Sequence, residues 1–490
     1  MSSRRPESSS AIVARNAFFT FLAVATSNLI SFVTLPLIAR SLGSFEYGTW
    51  WLASTIAAFA AMFVESGQDV YVNLAVARQQ DRAPELLATT LRLRLATGVL
   101  LVLPLDGLMR LLGYGAYTRT TALLLFGSFV LASIANGAMS ILRGLERMGG
   151  PSAVRIATEA VRAAFLLAAI WLGARVRGLA AVEMVGDALG LLFSLYVVSR
   201  FVVGRGRFSL PVARALIRGG APFFFWSGII VLQPALESIL LSKLASQDAV
   251  GWYGAAAKLC GVLLFPATVI GGALMPTLAR LKATDHEAYR RAVTESMRVA
   301  LLTGAPIAIG TFIFADRGIS LVFGASFGPA ADNLRVLSAY LLPVFVNMSL
   351  GAVLIIAGKQ FQWAVAKGAM VLVSAVFSYI AIPYLHARTG NGGLGAAAAT
   401  VAAEAGMFAI ALVLLPRGLL GGRAVLDLGR ALVAGAAMAL VGHLLADAPF
   451  AVAMICALLA YGAALIMVGG IGTRELTLLR NTVRARTGGA

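Results

Sequence analysis

Residues 235–258 read "ALESILLSKLASQDAVGWYGAAAK". Glu237 and Lys258 stand on either side of a short polar stretch, each inside a flanking apolar run. The pattern predicts two membrane-crossing helices joined near 243–248, each carrying one charge into the apolar layer. The surrounding chain agrees. Hydrophobic residues make up 59% of the 490 and charged residues 13%, against about 25% charged in a soluble domain. A mean hydropathy of +0.86 completes the signature of an all-α, polytopic integral membrane protein.

Several other classes are disfavoured. The net charge is +18, but the arginines fall singly between apolar runs and form no patch interleaved with aromatics, so nucleic acid is not an expected partner. Cys260 and Cys456 sit far apart in apolar runs and read as small hydrophobes. His286, His386 and His443 are isolated, and no metal site is expected. The polar start "MSSRRPESSS" is followed by a long apolar run with no clear cleavage site, so the first helix is expected to be retained.

An apolar layer about 30 Å thick needs roughly 20 helical residues. Apolar runs of that length predict fourteen spans, near 12–38, 46–68, 88–111, 118–140, 152–173, 178–202, 216–243, 249–278, 294–315, 331–357, 361–385, 393–415, 427–446 and 450–470. Pro222, Pro234, Pro266, Pro276, Pro306 and Pro343 are candidate kinks within them. Basic residues gather after even-numbered spans, in "ARQQDRAPELLATTLRLR", "RGLERMGGPSAVR", "SRFVVGRGRFSLPVARALIR" and "ARLKATDHEAYRRAVTESMR". With both termini, about 28 of the 40 basic residues lie on that side and about nine on the other, which places that side and both ends in the cytoplasm.

An internal repeat then organises the spans. "RSLGSFEYGTWW" (40–51) and "KLASQDAVGWY" (243–253) share a basic residue, a glycine eight positions on and nearby aromatics. Both occupy a turn between an odd and an even span, at an offset of about 203 residues. The implied architecture is two six-helix lobes related by a pseudo-twofold along the membrane normal, plus two C-terminal helices. The expected divisions are a cytoplasmic tail (1–11), a first lobe (12–202), a linker (203–215), a second lobe (216–415), two further helices (416–473) and a basic cytoplasmic tail (474–490).

Charges inside such spans are costly and face a bundle interior or a wet cavity. Arg162, Asp187, Lys258 and Glu404 fall near mid-depth, Glu237 nearer the outer face and Lys367 nearer the inner. Glu159 and Arg162 can pair along one helix face, whereas Glu183 and Asp187 share a face with no cation between them. Neighbouring carboxylates favour proton binding and suit a proton-coupled carrier. The rival reading is that these charges lock helices together. Trp50, Trp51, Trp171, Trp252, Tyr253 and Trp363 read as an interfacial belt, and Trp226 lies deeper. Asn347, in the sequon "NMS", falls within a span. No phosphate-binding loop of the G-x-x-x-x-G-K-[ST] type appears, and no extramembrane region is large enough for a nucleotide-sugar domain.

Four stretches carry a resemblance: 15–54, 219–259, "GGALMPTLARL" (271–281) and "LVFGASFGPAADNLRVLSA" (321–339). Their run of proline, acidic residue, small-residue turn, Gly-aromatic and Ala-Lys resembles the polysaccharide transporter family of the multidrug/oligosaccharidyl-lipid/polysaccharide exporter superfamily, the Wzx-like flippases. The family often has Asp where this chain has Glu237. The resemblance implies a non-enzymatic bacterial inner-membrane carrier that moves an undecaprenyl-pyrophosphate-linked oligosaccharide outward by alternating access, for O-antigen, capsule or exopolysaccharide. It implies no cofactor, coupling to H+ or Na+ and to the membrane potential, and polysaccharide polymerase and assembly proteins as partners. On that reading Arg162, Lys258 and Lys367 would meet the pyrophosphate, while Glu183, Asp187, Glu237 and Glu404 would couple ions or gate. Two alternatives stand: a cation-coupled drug or metabolite exporter of the same superfamily, and a scaffold whose midplane charges all pair.

Overall fold

A computed structural model describes residues 9–204, 206–416, 419 and 423–470. Residues 1–8 of the expected N-terminal tail, and all of the basic tail at 474–490, lie outside the described residues. Regular structure among the described residues is entirely helical: α1 (Ser9–Glu65), α2 (Gln68–Arg78), α3 (Ala83–Leu111), α4 (Ala116–Gly144), α5 (Gly149–Trp171), α6 (Val176–Ser199), α7 (Leu210–Leu244), α8 (Gln247–Leu263), α9 (Phe265–Thr284), α10 (His286–Ile313), α11 (Ala315–Phe323), α12 (Ala330–Ile356), α13 (Gln360–Thr389), α14 (Gly393–Leu414), α15 (Arg423–Leu444) and α16 (Phe450–Met467), with two short 3-10 turns.

Twelve helical stretches among the described residues are long and apolar enough to cross a membrane. They account for the fourteen expected spans once two features are recognised. The first stretch, Phe18–Arg78, holds two spans separated at Gly43, where φ is 73°. The other missing span is α5, whose centre carries Arg155, Glu159 and Arg162. The expected eighth span is two helices, α8 and α9. Pro266 opens the second, because it lacks the N–H that would continue the first ladder.

The packing of α3 shows what solvent the fold is built for. Leu95, Val99 and Leu103, each four residues apart, are exposed, while Arg94 beside them has no exposed surface. In hydrocarbon the helix gains nothing by hiding leucine and must satisfy every polar group within the protein.

The chain forms two compact units, one running through Gly251 and the other beginning at Trp252. The core of the first joins Val72, Leu86, Ile141, Val154, Val198 and Leu216, from α2 to α7. Although α7 was expected to open the second lobe, it packs on α1, α2 and α3 within the first unit. The core of the second unit joins Leu278, Val293, Leu350, Trp363 and Met407, and Phe314 beside α10 packs with Met438 and Tyr461 of α15 and α16. Trp50, Tyr253 and Trp363 are buried core residues, correcting the interfacial reading. Trp363, for example, lies against Gly351 of α12.

The two copies of the repeat meet within the first unit. A Cβ on Gly48 would stand 2.2 Å from the Gln247 carbonyl oxygen, and one on Gly251 would stand 2.1 Å from that of Ser44. Ser44 and Gln247 each precede their glycine by one helical turn, so the contact repeats itself under the sequence offset. Ser44 Oγ donates to Asp248 Oδ1 (2.5 Å), and Gln247 Nε2 to Thr49 Oγ1 (3.3 Å). Only glycine permits this backbone approach. Gly48→Ala and Gly251→Ala are each expected to destabilise by about 1–3 kcal/mol, the pair by less than the sum because one separation relieves both clashes. Gly107→Ala, whose Cβ meets nothing within 4 Å, is the control. Melting of the purified variants measures all four, and an unchanged midpoint for both glycine variants would contradict the contact.

Candidate functional site

On α5, Arg155, Glu159 and Arg162 recur at helical spacing and so share one face. That face turns to a cavity of about 390 Å³, walled by α1, α4, α5 and α6, into which Arg143 of α4 and Asp187 of α6 also project. The three guanidiniums have different surroundings. Arg162 pairs with Glu159, stands 3.8 Å from Asp187 Oδ1 and feels Glu183 as well. Asp187 is in turn fixed by Ser128 of α4, which donates to its Oδ2. Arg143 Nη2 donates to Ser140 Oγ (2.7 Å) and to the Asn136 carbonyl (3.3 Å), and lies 3.9 Å from Asp69 Oδ2. Arg155 Nε donates to Ser27 Oγ of α1 at 3.1 Å, and among the described residues Arg155 forms no ion pair. With three arginines against two carboxylates, Glu159 and Asp187, the wall carries excess positive charge, concentrated at Arg155. Such a site suits a multiply charged anion whose paired oxygens can accept from the planar guanidinium fork.

A second polar cluster lies in the second unit. Lys367 of α13 pairs with Glu404 of α14. Asn347 of α12 donates from Nδ2 to Glu404 Oε2 (3.0 Å) and to the Glu404 carbonyl (3.1 Å). One turn before Glu404, Thr400 Oγ1 lies 3.2 Å from the Tyr253 hydroxyl. Three helices are thereby tied together at one carboxylate.

The expected site residues thus fall into separate groups. Arg162, Glu183 and Asp187 come together, and Arg162 is the cation that the two carboxylates were expected to lack. Lys367, expected to meet substrate, has its charge engaged by Glu404. Lys258 is an exposed residue of α8 in the second unit. Glu237 is buried in the first and accepts from Gln233 Nε2 at 3.0 Å. Sequence reasoning missed Arg143 and Arg155 because both lie in "RGLERMGGPSAVR", whose charges were counted to the cytoplasmic side although Arg155 falls within the expected 152–173 span. In the structure α4 reaches Gly144 and α5 begins at Gly149, so both arginines are helical. The 155, 159, 162 spacing was the available signal.

The family model described as "Polysaccharide biosynthesis protein" matches residues 13–282. The chain belongs to this family. Within the polysaccharide biosynthesis proteins, it is 25% identical over 383 residues, 72% of each chain, to the succinoglycan biosynthesis transport protein ExoT of Rhizobium meliloti. It is 21% identical over 352 residues, 69% of this chain and 71% of the other, to the probable low-salt glycan biosynthesis flippase Agl15 of Haloferax volcanii. Among solved structures, the lipid II flippase MurJ in an inward closed conformation matches with a TM-score of 0.74 at 12% identity, over 94% of this chain and 100% of that one. An inward-facing multidrug resistance MATE transporter of the MOP superfamily matches with a TM-score of 0.67 at 16% identity, over 79% and 94%. The chain therefore has the fold of MOP-superfamily transporters.

The Lys367–Glu404 pair makes a direct prediction. Lys367→Met alone strands a buried carboxylate and is expected to cost about 3–5 kcal/mol, read as loss of the monodisperse peak in size-exclusion chromatography. Adding Glu404→Gln removes the stranded charge and should restore most of that peak. A double variant no better than Lys367→Met would argue against the pair as the cause.

Proposed function

We propose that the protein is a flippase carrying an undecaprenyl-pyrophosphate-linked oligosaccharide from the cytoplasmic to the outer leaflet of a bacterial inner membrane, by alternating access, to feed polysaccharide synthesis. The observation that carries this reading is the arginine-walled cavity, with Arg155 outside any ion pair among the described residues. A pyrophosphate offers the charge and paired oxygens that guanidiniums bind best. An exporter of organic cations calls for an acidic, aromatic-lined cavity instead. Family membership supports the polysaccharide side of the proposal, as do the printed names of the two relatives, a transport protein and a flippase.

The driving force follows from charge. Moving about two negative charges out of an inside-negative cell gains roughly 2.3 kcal/mol per charge per 100 mV. We assign coupling to H+ or Na+ to Glu404, the carboxylate that holds both Lys367 and Asn347. Polymerase and assembly proteins would take up the delivered oligosaccharide. No chemical step is required of the chain.

In a strain lacking this gene, Arg155→Ala should leave lipid-linked oligosaccharide accumulating at normal protein abundance, while Arg155→Lys, which keeps charge but not the bidentate fork, should transport partially. Wild-type transport by Arg155→Ala would sink the reading. Reporter fusions after Gly206 and after Ala245 test orientation; cytoplasmic and external signals, respectively, are expected.

A further inference from the structure

Arg143 is held in place in part by residues that do not line the cavity, Ser140 and Asp69. The chain begins at Arg94, in the middle of α3, whose Nη2 donates to Asp69 Oδ1 at 2.7 Å. Asp69 occupies the first turn of α2, just after the left-handed pair Ser66 (φ 47°) and Gly67 (φ 66°). There the exposed backbone N–H groups of the new helix favour a carboxylate. The same Asp69 oxygen accepts from Ser140 Oγ at 2.8 Å, and the Ser140 proton is shared with the Asn136 carbonyl at 2.9 Å. The Ser140 oxygen then accepts from Arg143 Nη2. Glu65 and Arg155 complete the charged surroundings of Arg143.

We infer that Ser140, anchored through Asp69 to the wholly buried Arg94, is a positioning residue that fixes the Arg143 guanidinium at the cavity wall and thereby sets the affinity for a pyrophosphate group. This rests on the flippase reading above. An arginine whose fork is already oriented loses less rotamer freedom when it binds, so the relay acts on affinity without touching the ligand. It also explains why a serine with no exposed surface sits on α4: its hydroxyl is donor to one charged side chain and acceptor from another.

The test is a double-mutant cycle on the full chain in lipid nanodiscs, titrated with inorganic pyrophosphate by calorimetry. Ser140→Ala should weaken binding about tenfold, the loss of one hydrogen bond to a charged group. Arg143→Ala should weaken it at least as much, and Ser140→Ala should then add nothing in the Arg143→Ala background. Losses that multiply to about a hundredfold in the double variant would show Ser140 acting independently of Arg143 and overturn the inference, as would wild-type affinity in Ser140→Ala. Ser140→Cys, close in volume and a poor acceptor, gives the same reading should the alanine variant not accumulate. Pyrophosphate binding that needs Arg155 and ignores both Ser140 and Arg143 overturns the relay alone; no binding by the wild type overturns the relay and the anion cavity together.

Discussion

The architecture of the first unit depends on one salt bridge. Arg94 has no exposed surface, and an arginine at that depth is tolerated because Asp69 meets its charge at 2.7 Å while Ser133 of α4 accepts from its other Nη. The bridge ties α2 to α3, and Ser140 extends it to α4. Gly137 keeps α4 clear of the guanidinium; a Cβ there would come within 3.0 Å of Nη1. Three helices are thus registered by polar contacts, which in an apolar layer discriminate between packings far more sharply than leucine against leucine.

The membrane-embedded charges then divide by their company. Lys367 and Glu404 are paired, and Asn347 adds a hydrogen bond to the carboxylate; Arg162 is encircled by acids. Groups satisfied in this way register helices and have little charge left over for a ligand. Arg155 has a serine for company, and its field is available to whatever enters the cavity. On the flippase reading, the same sequence element would serve structure at position 162 and recognition one face-repeat earlier, at 155.

Much of this was legible in the residues. Apolar run length gave the spans, and the 330–356 helix agrees with expectation to within a residue at each end. The repeat located Gly48 and Gly251 before their contact was known. What escaped was set by tertiary contact. A basic stretch looks alike whether it is loop or helix end, so Arg143 fell outside the expected spans and Arg155, inside the expected 152–173 span, was counted with the loop charges. Periodicity could place Glu183 and Asp187 on one face but could not say that Arg162 of the neighbouring helix stands opposite. Nor could the apolar pattern show that Arg94 is fully buried, because its partner, Asp69, belongs to a different helix.

The charged face of α5 bears on how the protein is made. A helix centred on Arg155, Glu159 and Arg162 partitions poorly from the translocon into lipid on its own, each central arginine opposing insertion by about 2.5–3.5 kcal/mol. The acids that offset Arg162 from outside the helix, Glu183 and Asp187, belong to α6 and emerge from the ribosome later. Entry of α5 and α6 into the bilayer as a hairpin would bring acid to arginine as both leave water, and α5 also packs on α1. The residues that make the cavity wall would thereby also set the order of its assembly.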